Sequence, residues 1–190
     1  MFMLWAIPVG ILAGFVARGR LDGLSEIRFR WGWLAVAGLV VQVGLFTEAG
    51  GRLAGAFGPA LYVLSTLAVF IAVLRNVRLP GMVVVALGSV SNLAAITANG
   101  GAMPADPAAL ASAGLDGPGA YTNSVVLADP ALKPLTDIFA IPASWPLANV
   151  FSVGDVLIGV GIVVVIAAAM RTRRAGAATL AGQPPAQGAV

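Results

Sequence analysis

The chain has 190 residues, of which 59% are hydrophobic and only 10% charged, with a formal net charge of +3. Soluble domains carry about 25% charged residues, and a soluble fold of this length has too little interior to hide so much apolar surface. Together with a mean hydropathy of +0.94, this composition describes an integral membrane protein and excludes an ordinary soluble enzyme.

The first apolar run, about residues 2–17, contains Pro8, Gly10 and Gly14 and is followed by Arg18, Arg20, Arg28 and Arg30. A secretory signal carries its positive charge in front and ends in a small-residue cleavage site, so this run reads as an uncleaved first span with its N-terminus outside. Gly10 and Gly14 form a GxxxG pair, a pattern that lets helices pack closely. The second span covers about 31–46, opens on Trp31 and Trp33 as an interfacial belt, and holds one polar side chain, Gln42. A Gly-rich turn over 47–58 leads to Pro59, which suits the first turn of a third span at about 59–74. The basic hairpin RNVRLPG, residues 75–81, leads to a fourth span at about 81–98. That span carries Asn92, and Asn99 lies two helical turns later on the same face.

Residues 99–152 form a long connection rich in Gly and Pro, and its apolar content predicts short helices lying on the membrane surface and partly covering the bundle. The fifth span covers about 153–170 and is stopped by Arg171, Arg173 and Arg174. Residues 175–190 are Ala, Gly, Pro and Gln in the main and read as a disordered tail. The expected architecture is all-α: a single five-helix membrane domain over 1–174, with an outer loop between the fourth and fifth spans.

Sidedness follows from the arginines. Loops 18–30 and 75–80 and the tail after 170 hold four, two and three of them, against Arg52 and Lys133 on the opposite side. The positive-inside rule makes the arginine side cytoplasmic. The C-terminus is then cytoplasmic, and the long loop, Asn99, Asp137 and Asp155 are extracytoplasmic. The basic charge is a topology signal, and a nucleic-acid partner is excluded because no aromatic-plus-basic stretch that could stack bases accompanies it.

Cysteine and histidine are both absent. This removes thiol nucleophiles, histidine triads, histidine-ligated haem and the usual zinc sites, so no metal or cofactor is expected. Ionisable groups next to lipid are costly and tend to be functional, which singles out Asp137 and Asp155. Two carboxylates held close share a proton and can activate a water between them. Each residue also has a structural explanation. Ser152 and Asp155 fit a capping box, and Lys133 lies one helical turn before Asp137. Asn99 followed by Gly100 and Gly101 reads as a helix C-cap.

Three blocks, RNVRLPG (75–81), NGGAMP (99–104) and SVGDVLIGVG (152–161), resemble the recurrent blocks of an uncharacterised family of small bacterial polytopic membrane proteins, a domain-of-unknown-function family. That resemblance implies a bacterial cytoplasmic-membrane location and no particular activity. A more distant resemblance is to lipoprotein signal peptidase. It is carried by Asp137-Ile138-Phe139, Trp145-Pro146, Phe151, and Asp155 with Ile158 and Gly161. It implies that Asp137 and Asp155 are an aspartyl catalytic pair acting on a lipoprotein-type substrate at the outer face. The chain departs from that family's pattern, which has Asn-x-Ala before the second acid where this chain has Ser152 and Gly154.

The functional expectation is therefore a multi-pass membrane protein with an outer polar site. That site comprises Asp137 and Asp155, supported by Asn92, Asn99, Gly100, Gly101 and Ser152. Its partners are the lipid bilayer and a lipid, membrane protein or lipoprotein substrate. It serves either as a non-peptidase relative of the signal peptidase scaffold, as an aspartyl peptidase, or as a lipid- or protein-binding assembly factor.

Overall fold

A computed structural model describes residues 2–115 and 124–181, with the side chains of residue 124 and of 172–181 outside that description. Asp116 falls outside it as well. The protein is mostly helical. A 3-10 turn, Phe2–Trp5, leads into α1 (Ala6–Val16), followed by α2 (Gly32–Leu45), α3 (Glu48–Ala54), α4 (Gly58–Leu74) and α5 (Met82–Ala98). A cap follows, built from β1 (Met103–Pro104), α6 (Pro107–Ala113), β2 (Ser124–Val125), β3 (Phe139–Ile141) and β4 (Asn149–Phe151). The chain then enters α7 (Val153–Ala181).

The five long helices form a row in the order α2, α4, α5, α7, α1. Their directions can be read from the residues that meet. Gly10 faces Ile166 and Gly14 faces Met170, so α1 runs parallel to α7. Gly81 meets Gly161 and Gly88 meets Gly154, so α5 runs antiparallel to it. Gln42 donates to Thr66 at 3.2 Å and Phe46 packs edge-on to Tyr62, so α2 and α4 are antiparallel.

Glycine decides how close α5 and α7 come. A Cβ on Gly154 would lie 2.7 Å from the Gly88 carbonyl oxygen, and one on Gly161 would lie 2.8 Å from that of Gly81. Both glycine pairs are spaced seven residues apart, two helical turns, so the two backbones touch twice along one seam. Such contacts permit weak Cα–H···O bonds and leave no room for a side chain. The GxxxG pair of α1 works differently. Gly10 and Gly14 are hollows filled by the long side chains of Ile166 and Met170.

Two runs, Glu48–Leu74 and Val153–Arg171, are long and apolar enough to cross a membrane, with mean hydropathies of 2.1 and 2.5. Only 17% and 28% of their most apolar windows is buried within the protein. Phe2–Val16, Gly32–Leu45 and Met82–Ala98 are shorter apolar helices. The outward side of α2 presents Trp33, Val36, Leu39, Val40 and Val43 in one exposed apolar surface.

Three local expectations are corrected. The segment expected as a Gly-rich turn forms α3, because Thr47 Oγ1 accepts from Gly50 N at 3.0 Å as an N-cap and Glu48 pairs with Arg52 at 2.9 Å. The last helix continues to Ala181, seven residues into the expected disordered tail, since AGAATLA contains good helix formers and Pro184 comes later. Residues 182–190 of that tail lie outside the described residues.

The third correction is the outer loop, which is not a set of surface helices. Among the described residues it holds one short α-helix, α6, and a 3-10 turn, Lys133–Leu135, besides short strand pairs, and its prolines oppose longer helices. β1 pairs in parallel with β2, Ala105 bridges to Asp137, and β3 pairs antiparallel to β4. The cap has its own core of Ala105, Ala109, Leu110, Ala113 and Val150. A second cluster, Ala95, Ile96 and Met103 with Tyr62, Val63 and Leu135, joins the cap to the bundle.

Candidate functional site

Ser152 precedes α7, and its hydroxyl oxygen accepts from Asp155 N at 3.1 Å. In return Asp155 Oδ2 accepts from Ser152 N at 3.0 Å. This reciprocal pair is a capping box, and it satisfies two backbone donors that a helix start leaves open. Asn92 of α5 completes the group. Its Nδ2 donates to Asp155 Oδ1 at 2.9 Å, and its Oδ1 lies 2.8 Å from Ser152 Oγ.

Ser152 Oγ also lies 3.1 Å from Asp155 Oδ2. A hydroxyl carries one proton, so it serves one of these two acceptors at a time, and Asn92 is the closer. Ser152 is fully buried, which shuts its hydroxyl off from solvent. Both oxygens of Asp155 are thus engaged by the junction of α5 and α7. Gly154 is required here, because a Cβ would fall on Asn92 Oδ1. Hydrogen bonds to a charged acceptor are worth about 1.5–3 kcal/mol each, so this junction is strongly specified.

Asn99 caps the far end of α5. Its Nδ2 donates to Ala95 O at 2.8 Å and to Ala131 O at 2.9 Å, and its Oδ1 accepts from Ala131 N at 2.8 Å. Gly100 and Gly101 close a Schellman turn, with Gly101 N donating to Ile96 O at 2.9 Å. Both have positive φ, and a Cβ on Gly101 would stand 2.7 Å from Pro59 Cβ. Gly101 and Ala102 line one wall of an apolar groove of about 180 Å³, with Leu45, Phe46, Pro59 and Tyr62 on the others.

Asp137 belongs to the cap interior. It is 4% exposed, its N donates to Pro104 O at 2.9 Å, and its O accepts from Asp106 N at 3.0 Å. A surface contact with Lys133 therefore does not describe its setting. The structure brings Asn92, Ser152 and Asp155 together in one cluster. It sets Asn99, Gly100 and Gly101 at the end of α5, and Asp137 in the backbone pairing of the cap. Among the described residues the hydrogen bonds of the Asp155 carboxylate go to Asn92 and Ser152. No group of three or more metal-ligating side chains occurs among the described residues.

Asn76 was not anticipated. It is 5% exposed, accepts from Arg30 N at 2.9 Å, and donates to Arg30 O at 2.8 Å and Ala72 O at 2.7 Å. The signal existed, since an asparagine just past a helix end is the feature that marks Asn99. The seven-residue spacing of Gly81 and Gly88, and of Gly154 and Gly161, is equally visible in the sequence.

The blocks at 75–81, 99–104 and 152–161 thus hold Asn76 and Gly81, Asn99 to Gly101, and Ser152 to Gly161. These are the residues that clamp the bundle at both ends and along its seam. No curated protein and no solved structure matches the chain significantly. A family model does match, over residues 26–167, and the chain belongs to that family, a family of unknown function designated DUF5317.

Proposed function

We propose that the chain is a multi-pass protein of the bacterial cytoplasmic membrane, with five spans and its arginine-rich end in the cytoplasm. We further propose that its outer cap is a lipid- or protein-binding platform. The membrane reading is supported by the largely unburied apolar surface of the five long helices. Soluble monomers rarely expose apolar surface on such a scale. It is also supported by their alternating directions, which bring the arginine-bearing connections to one end.

The functional reading rests on one observation. Asp155 is held on both carboxylate oxygens by Asn92 and Ser152, so it fastens two helices under the cap. A general base needs an oxygen within reach of a substrate water, and a pin between helices needs the opposite. The apolar groove beside Gly101 offers the cap a place to receive an apolar group from the outer leaflet or from a partner's span.

The experiment is replacement of each acid by asparagine in the full-length protein in vesicles, with folding followed alongside cleavage of prolipoprotein-like peptides. Under the binding reading both variants fold and neither the parent nor the variants cleave. The second reading, an aspartyl peptidase, draws support from the burial of Asp137. Cleavage by the parent that is lost in both folded variants would establish it and overturn the binding reading.

A further inference from the structure

The loop between α1 and α2 is not free. Arg20 N donates to Met170 O at 2.8 Å, Gly23 is buried against the Ala169 carbonyl, and Asn76 clamps the backbone of Arg30. Arg18, in the left-handed region at φ 59°, closes a Schellman turn after α1. Trp31, at φ 58°, is held beneath the Arg75 guanidinium, which lies 4.8 Å from its ring. Arginines distant in sequence are thereby gathered on one rigid surface. Arg28, Arg75 and Arg78 are all exposed, and among the described residues they have no carboxylate partner. Exposed Phe29 and Trp33 border the same surface.

We propose that this surface binds the phosphate-bearing headgroup of an anionic lipid, with Arg28, Arg30, Arg75 and Arg78 as the cationic contacts around Trp31. Charge complementarity selects the occupant. Arginine forks match phosphate oxygens in a bidentate way, and basic pockets between spans on the cytoplasmic side are suited to acidic headgroups. The aromatic residues fix the depth, since tryptophan settles at the headgroup level. The proposal rests on the membrane reading above, and concerns the end of the bundle opposite the cap.

The test uses full-length protein in detergent, titrated with phosphatidylglycerol, phosphatidylcholine or inorganic phosphate, and read by thermal unfolding and tryptophan fluorescence. Saturable stabilisation by phosphatidylglycerol alone is expected. The double variant Arg28→Gln/Arg78→Gln removes side chains that make no hydrogen bond or ion pair among the described residues. It should fold normally and weaken that response by roughly 10- to 30-fold. Arg52→Gln, near the cap, should leave it unchanged. An equal response to both lipids, an unchanged affinity in the double variant, or full reproduction by inorganic phosphate would each overturn the proposal. Flotation with vesicles separates the two failures. A protein that floats with both vesicle types but shows no anionic preference refutes the headgroup site alone, whereas one that floats with neither refutes the membrane reading too.

Discussion

Asn76 follows α4 and Asn99 follows α5, at opposite ends of the bundle, and the two make the same set of bonds. Each donates to the carbonyl four residues back and exchanges a pair of hydrogen bonds with the backbone of one distant residue, Arg30 or Ala131. What they hold differs. Asn99 holds a cap with a hydrophobic core of its own. Asn76 holds an arginine-rich loop that packs on α7 and, through Ile27, on the cluster of Val73, Met82, Val85 and Val165. The loop leans on the helices rather than on a core of its own, so an identical clamp carries more of its local order.

Substitutions can break this comparison, and the largest effect is expected between the ends, along the seam they share. Gly154→Val would push α5 from α7 and displace Asn92, because backbone atoms cannot move aside as a flexible side chain can. Overpacking of this kind costs about 1–3 kcal/mol or more, and should appear as a sharp fall in the unfolding midpoint in detergent. Asn76→Ala comes next. It leaves the buried Ala72 carbonyl and the part-buried backbone groups of Arg30 without partners, at about 1–3 kcal/mol, and limited proteolysis should open the loop at 18–30 first. Asn99→Ala should cost less, about 1 kcal/mol, with cleavage confined to the stretch around Ala131. If both variants lose equal stability, the idea that the cap's own core supports it is wrong.

Asp155→Asn sharpens the comparison further. The amide keeps an oxygen to accept from Ser152 N or Asn92 and loses the charge, so a modest drop in midpoint is expected, smaller than for Asp155→Ala. The smallest effect belongs to Arg52→Gln. Its ion pair with Glu48 is exposed on both sides, such pairs contribute little, and the midpoint should not move measurably.

Whatever depends on neighbours in the chain was legible beforehand. The five apolar runs coincide with α1, α2, α4, α5 and the start of α7 to within a few residues, because apolar length and flanking charge are local properties, whereas the end of α7 runs past its expected stop. The Ser152–Asp155 box and the turn at Asn99 to Gly101 were equally readable, since each closes within five residues. Only the tertiary structure joined Asn92 to Asp155 across 63 residues and Asn76 to Arg30 across 46. Neither partner carries a local mark of the other, and the choice follows from which helices lie side by side. The same holds for the cap. Its strands are two or three residues long, too short for alternation to register, and they exist because packing on α6 and the end of α5 supplies the burial that their own sequence does not.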